Sequence, residues 1–367
     1  MDFWRKVHVL GAGTYGTVHL AAKFDPPLSV STAAVKSATF PRWTSLKKEG
    51  EILFQLRGCR EIVHCFGEDT SFENNRDVYN LLLEYAAGGS LVNLIEKYGG
   101  NMPESMVACY CYMLLKGLSR VHEEGLVHCD IKPENILVFP SQDGTIHNLK
   151  IADFGQAKKI EEKEILIAGR SFQNRGTLLY SSPESIALGL HKPPTDIWSL
   201  GCIIVEMITG KPIWSTCRSN IELFQQIALD NPIPENISDI AKDFLDKCLA
   251  KKHKERWTAD MLLNHPFIVK TLTALPPNFD NRVLLSLKNP FGTSMWASTL
   301  HMFTTLPEHE KHTDSVPILY PHQLCAPRKK VPGSVRGHRL LPHQLYQPRQ
   351  KNLPLNNAIR SSEQRVA

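Results

Sequence analysis

The chain has 367 residues, 42% of them hydrophobic and 22% charged, an ordinary composition for a globular protein with length for two or three domains. No run approaches the ~18 apolar residues of a membrane span, and Met1-Asp-Phe-Trp offers neither a signal peptide nor an N-terminal glycine for myristoylation. Nine cysteines, odd in number and without a C-x-x-C pair, read as reduced intracellular thiols.

Near the amino end, Leu10-Gly11-Ala12-Gly13-Thr14-Tyr15-Gly16-Thr17-Val18 spaces its glycines as G-x-G-x-x-G-x-V, a pattern that lets backbone amides approach phosphates. Dinucleotide-binding folds share the glycine spacing but follow it with a helix. Here Thr17-Val-His-Leu-Ala-Ala22 alternates like a strand, so the glycines are expected to join a hairpin. Ala33-Ala34-Val35-Lys36 reads as a third strand. A helix is expected over 44–56, with Leu46, Ile52, Leu53 and Leu56 apolar and two acids, Glu49 and Glu51, competing to pair with Lys36. Cys109 and Cys111 lie in an apolar helix and read as packing. Farther on, His128-Cys129-Asp130-Ile131-Lys132-Pro133-Glu134-Asn135 and Asp153-Phe154-Gly155 stand twenty-three residues apart from Asp to Asp, beside the strand-like runs 136–139 and 149–152. A lone Asp-Phe-Gly is usually a surface turn. Both strings together, in order, argue otherwise.

Glycine loop, lysine strand, charged helix and these two strings resemble a eukaryotic protein kinase over residues 4–268. The resemblance implies an α+β, bilobal fold: a small lobe (4–83) with a five-stranded antiparallel sheet and one helix, a hinge (84–86), a large mainly helical lobe (87–268), and a mostly disordered tail (269–367). It implies ATP with Mg²⁺, for which Mn²⁺ is a substitute. Leu10, Gly11, Ala12, Gly13, Thr14, Tyr15, Gly16 and Thr17 would cover the phosphates. Val18, Ala34 and Leu137 would sandwich adenine, Leu83 would be the gatekeeper, and the backbone of Glu84 and Ala86 would face the base. Lys36 would reach the α and β phosphates, paired with Glu49 rather than Glu51, because such helices place the paired Glu three residues before an Ile-Leu-like pair, here Ile52-Leu53. Asp130 would accept or orient the proton of the attacking hydroxyl, Lys132 would neutralise the migrating phosphoryl group, and Asn135 and Asp153 would hold the metal through oxygen. In the segment from Gly176 to Glu184, Glu184 is expected to pair with Arg256, and Asp196 to cap the catalytic-loop backbone. His265-Pro-Phe267 looks like the close of the domain.

Lys132-Pro-Glu and Thr177 resemble serine/threonine kinases; tyrosine kinases carry an Ala-Arg pattern instead. Trp4-Arg-Lys, Glu84-Tyr-Ala-Ala-Gly-Gly-Ser-Leu91 and Gly176-Thr-Leu-Leu-Tyr-Ser-Ser-Pro-Glu184 resemble plant MAP kinase kinase kinases of the MEKK-like subgroup. That implies phosphorylation of a MAP kinase kinase activation loop in a stress or hormone cascade, in the cytoplasm with the nucleus as a second compartment; no nucleic-acid partner is expected, because the basic tail lacks interleaved aromatic residues. A kinase of another cascade, receptor-like cytoplasmic or Raf-like, is the alternative. A scaffold pseudokinase is disfavoured, because Lys36, Glu49, Asp130, Asn135 and Asp153 are all present. One departure stands out: Cys129 occupies the position where kinases usually carry an Arg that receives an activation-loop phosphate. Gln173 stands four before Thr177, where the regulatory phosphothreonine commonly sits. Acceptor and receiver are lost together, so the expectation is a domain active without loop phosphorylation; the alternative is a phosphorylated Ser171 received by Arg170 or Arg175.

From Lys270 on, thirteen Lys plus Arg face five Asp plus Glu, so the net charge of +5 belongs to the tail. Pro and His are frequent and hydrophobic periodicity is absent, a composition that cannot offset its ordering entropy. Pro321-His-Gln-Leu-Cys-Ala-Pro-Arg328 and Pro342-His-Gln-Leu-Tyr-Gln-Pro-Arg349 repeat at a spacing of 21, read either as a duplicated segment or as a motif for a regulatory partner. Residues 282–304 are more apolar, with a short helix on the large lobe expected there.

Overall fold

The computed structural model describes residues 4–273, apart from 14–15, 26–28, 142–145, 163–165, 168–169, 172–175 and 231. The chain divides into units 1–311 and 312–367, and every described residue belongs to the first. Strands β1 (Trp4–Gly13), β2 (Gly16–Asp25), β3 (Ser29–Thr39), β4 (Cys65–Glu73) and β5 (Arg76–Leu83) form one antiparallel sheet in the order β1-β2-β3-β5-β4, and helix α1 (Trp43–Gln55) joins β3 to β4. Alternation along β3 and β5 sends side chains to both faces of this sheet. Ala33, Val35 and Leu82 pack with Ala21 on one face, while Ala34, Ala38, Leu81 and Leu83 join Leu46, Ile52 and Leu53 of α1 in the main core. The helix expected over 44–56 thus forms one residue earlier, held to the sheet by the apolar face that its periodicity implied.

The rest is mainly helical: α2 (Leu91–Lys97), α3 (Glu104–Glu123), α4 (Pro183–Leu188), α5 (Pro193–Thr209), α6 (Asn220–Leu229), α7 (Asp239–Cys248), α8 (Ala259–Leu263) and α9 (Pro266–Thr273), nine helices with α1 among the described residues. Between α3 and α4 lie the short strands β6 (Leu126–Val127), β7 (Ile136–Phe139), β8 (Asn148–Ile151), β9 (Lys158–Lys159), β10 (Leu166–Ile167) and β11 (Arg170–Ser171); they pair β6 with β9, β7 with β8 and β10 with β11. Helix α5 is buried without interruption from Thr195 to Ile208, the pattern of a helix at the centre of a core. Helix α3 packs against it and buries Cys109 and Cys111. Ser182, Ser219, Ser238 and Thr258 each accept a backbone N–H at the start of α4, α6, α7 and α8, a capping bond worth about 1 kcal/mol apiece. No helix among the described residues is long and apolar enough to cross a membrane.

One large-lobe ion pair ties elements distant in sequence. Glu184 of α4 accepts two bonds from the Arg256 guanidinium at 2.5 and 2.7 Å. Helix α9 buries Phe267 and Ile268 and lays Leu272 against the core, so the boundary expected at residues 268–269 falls inside this helix. The segment 282–304 lies outside the described residues.

Candidate active site

The loop between β6 and β7 is held from below by one carboxylate. Asp196, buried near the start of α5, accepts the backbone N–H of His128 (2.9 Å) and of Cys129 (3.0 Å) and lies 2.9 Å from His122 Nε2 of α3. Burial alone pushes this carboxyl up, but the hydrogen bond and charge of His122 outweigh it and hold the pKa below its ordinary value. These bonds fix Cys129 at φ +68°, a conformation that L residues adopt only where their surroundings over-determine it. The next amide, Asp130 N–H, donates to His128 Nδ1 (3.2 Å), so Nε2 carries the proton and donates to the Ala152 carbonyl (3.1 Å). Ala152 N–H in turn donates to the Asn135 carbonyl (2.8 Å). The residue before Asp153 is thereby bonded in both directions to the loop that carries Asp130.

Around Asp130 three polar side chains close a network. Lys132 Nζ lies 2.9 Å from Asp130 Oδ2 and donates to Thr177 Oγ1 at 2.9 Å, while the Thr177 hydroxyl donates to Asp130 Oδ1 at 3.0 Å. Asn135 Nδ2 donates to the Asp130 backbone carbonyl (2.8 Å) and to Oδ2 (3.1 Å), which leaves the carboxamide oxygen as its ligand atom. Thr177 reaches this position through Gly176, at φ +86°, where a Cβ would stand 2.3 Å from the Cys129 carbonyl oxygen. Only glycine permits that approach.

A second network lies under the β1–β2 hairpin. Lys36 Nζ is 2.6 Å from Glu49 Oε2 and 2.9 Å from Asp153 Oδ1. Burial works against the Lys36 charge, but the carboxylates of Glu49 and Asp153 outweigh it and hold its pKa above the ordinary value. Burial pushes Glu49 up. It acts on Asp153 in the same sense, and there Lys36 reverses the effect and holds the carboxyl below its usual range. Glu51 sits on the exposed side of α1. In the hairpin Gly11, Ala12 and Gly13 are exposed and pair with Val18, Thr17 and Gly16; Leu10 is exposed as well, and Thr14 and Tyr15 lie outside the described residues. Gly16, at φ +146°, could not carry a Cβ, which would fall 2.4 Å from the Ser37 carbonyl oxygen.

Val18 and Leu137 are partly buried and Ala34 and Leu83 buried, with Ala34 opposite Leu83 in the sheet. At Glu84 the N–H donates to the His64 carbonyl (2.9 Å), and Ala86 accepts from Gly89 N–H (3.1 Å). The Ala86 N–H has no partner among the described residues. The Glu84 side chain takes a role that sequence reasoning missed: its two oxygens sit 2.9 and 2.6 Å from Lys150 Nζ on β8, tying the 84–86 segment to the strand that precedes Asp153. The available signal was a cation inside the apolar run 149–152. His122, beneath Asp196, had no such signal.

The donor set fits a nucleotide with a divalent ion. One carboxylate and one carboxamide, Asp153 and Asn135, supply hard oxygens but fewer than a divalent shell of about six, so phosphate oxygens and water complete it. Lys36 is a fixed cation within reach of the same carboxylate. Of the residues expected here, Lys36, Glu49 and Asp153 form one cluster and Asp130, Lys132, Asn135 and Thr177 the other, joined through Ala152.

Residues 4–268 match the protein kinase domain family. Mitogen-activated protein kinase kinase kinase 20 of Arabidopsis thaliana is 38% identical over 312 residues, spanning 80% of this chain and 89% of that protein. Mitogen-activated protein kinase kinase kinase 17 of the same plant is 36% identical over 72% of this chain and 69% of its own length. Serine/threonine-protein kinase BCK1/SLK1/SSP31 of Saccharomyces cerevisiae is 33% identical over 72% of this chain but 18% of its own.

Proposed function

Because the chain belongs to the protein kinase family, as an ATP- and metal-dependent serine/threonine kinase of the MAP kinase kinase kinase type, we propose that it phosphorylates the activation loop of a MAP kinase kinase in a plant stress or hormone cascade. The observation that carries the chemistry is the closed network of Asp130, Lys132 and Thr177. The likeness to the two Arabidopsis kinases supports the position in the cascade.

In this reading Asp130 orients the acceptor hydroxyl and takes its proton while the bond from the hydroxyl oxygen to the γ phosphorus of ATP forms. The bond from that phosphorus to the β–γ bridging oxygen breaks, and ADP leaves. Thr177 and Lys132 hold the Asp130 carboxylate from two sides, and the Lys132 ammonium offsets charge on the group in transit. Glu49 holds Lys36 toward the α and β phosphates. Asn135 and Asp153 would hold Mg²⁺, which would supply positive charge against the phosphates. Gly11 to Thr17 cover the phosphates, and Val18, Ala34, Leu83 and Leu137 enclose adenine against the backbone of Glu84 and Ala86.

The test is phosphorylation of a panel of kinase-dead MAP kinase kinases by the purified chain with ATP and Mg²⁺, with sites mapped by mass spectrometry. Incorporation at activation-loop serine or threonine is expected. Incorporation only elsewhere in those proteins, or none alongside phosphorylation of a generic substrate, rejects the reading.

A further inference from the structure

The turn between α1 and β4, helix α3 and helix α8 line a cleft of about 430 Å³ that the phosphoryl transfer does not use. One water takes up about 30 Å³ of liquid, so whole side chains fit. The lining is charged, with Arg57, Lys116 and Arg120 against Glu61 and Glu123. Arg120 is also 2.5 Å from Glu124, which accepts from Gln55 Nε2 of α1 at 2.8 Å. The Arg57 guanidinium stacks 4.2 Å over the exposed ring of Phe54, a contact that holds the cation in place. With three cations to two acids, the lining favours an occupant that brings a carboxylate. Leu263 of α8 adds an apolar patch.

The chain's own continuation matches that lining. Helix α9 packs on both α3 and α8, so the described chain ends beside two of the elements that form the cleft. Its eight residues rise about 12 Å, a distance that about four extended residues retrace. Beyond Thr273 the sequence reads Ala274-Leu275-Pro276-Pro277-Asn278-Phe279-Asp280. The two prolines fix φ and favour an extended spacer, which lowers the entropy lost on ordering it. Phe279 and Asp280, six and seven residues past Thr273, then come within reach of the cleft. Asp280 is the first carboxylate after α9, and the next is Glu308; between them the charged side chains are cations. The likeness to the first Arabidopsis kinase also covers more of the chain than residues 4–268. We infer that residues 274–280 turn back along α3 and seat Phe279 and Asp280 in the cleft. The ring lies against Leu263 and the carboxylate among Arg57, Lys116 and Arg120, which ties the turn after α1 to α3 and α8.

Cys59 reports on the cleft, because it is half-buried in the same lining. Burial and the Glu61 carboxylate push its pKa up to about 11, so alkylation is slow enough to time. The experiment follows iodoacetamide labelling of Cys59 by mass spectrometry in the full chain and in its Phe279→Ser/Asp280→Lys variant. Glu308→Lys is the control for charge, and half-buried Cys217 is the internal reference. The double variant is expected to label Cys59 about fivefold faster or more, with Cys217 and phosphorylation of a peptide little changed; Glu308→Lys is expected to match wild type. Equal Cys59 rates in wild type and the double variant overturn the inference. A rise at both cysteines does so too, since it would mean a general loosening of the fold. Wild-type protection that fades on dilution assigns the cleft to the tail of a second copy and overturns it as well.

Discussion

Lys36 touches two carboxylates at once, 2.6 Å from Glu49 and 2.9 Å from Asp153, and Asp130 is held by Thr177, Lys132 and Asn135. Each residue acts on charge that develops as the phosphoryl group moves, where one lost contact commonly costs about 10²–10³-fold. Lys36→Met and Asp130→Asn should each lower turnover by at least that order, with circular dichroism and melting showing an intact fold. Near-normal phosphorylation by either purified variant would remove its residue from the mechanism. Gly176→Ala makes a subtler case: its Cβ would collide with the Cys129 carbonyl, so Thr177 must retreat from Asp130. Steady-state kinetics should show kcat lowered about tenfold or more with the KM for ATP little changed, because Lys36 and Asp153 lie on the other cluster. Residues in contiguous motifs could be read from the chain before any coordinates. Lys150 and His122 could not, since their partners Glu84 and Asp196 stand 66 and 74 positions away; the cation inside the apolar run 149–152 marks Lys150 as unusual without naming its partner, and nothing local marks His122.

Among the elements, α5 and the N-terminal turn of α4 carry the structural charges. Burial pushes Glu184 up, yet Arg256 outweighs it and leaves the carboxyl below its ordinary 4.5; Asp196 likewise lies below 3.8. A depressed folded-state pKa means that the stabilisation is complete above those ordinary values and fades as pH falls through the lower folded-state ones. Melting temperature against pH should therefore drop below about pH 4.5, and in Glu184→Gln part of that drop should disappear. Arg256→Met would leave Glu184 buried without its cation, a change that typically costs about 3–5 kcal/mol, measurable by denaturant unfolding. At this scale the long periodic elements were legible: α1 forms within one residue of expectation, β2 contains the alternating run 17–22, and β7 coincides with the apolar run 136–139. The two-residue strands β6, β9, β10 and β11 were not, because two residues carry no period. Packing of Phe267, Ile268 and Leu272 carries α9 past His265-Pro-Phe267 to Thr273, while the family match closes at residue 268.

For the whole molecule, the catalytic residues all precede α9, and the composition beyond it is basic and rich in Pro and His. A chain cut after Thr273 should stay soluble and phosphorylate a peptide at the full-length rate; insoluble protein would show that residues 274–304 belong to the fold. The match to the Arabidopsis kinase over 80% of the chain, beyond the span 4–268, makes that comparison worth running with a second cut after residue 304. Cys129 sharpens the question of control. Its side chain is buried and has no cation with which to receive a loop phosphate, so phosphatase treatment and Ser171→Ala are each expected to leave activity on a MAP kinase kinase within about twofold. A large loss in either experiment rejects that expectation.

The pairing of Lys36 with both Glu49 and Asp153 bears on how such a chain could be switched. Where the binding-competent arrangement is only a small fraction of an ensemble, apparent affinity falls by that fraction, and an activator works by raising it. Lys36 ties α1, through Glu49, to the segment that carries Asp153, so a contact that swings α1 away must break the Lys36–Glu49 pair and lower the competent fraction. A partner that binds such a displaced state more tightly than the assembled one would lower activity by the ratio of its two affinities.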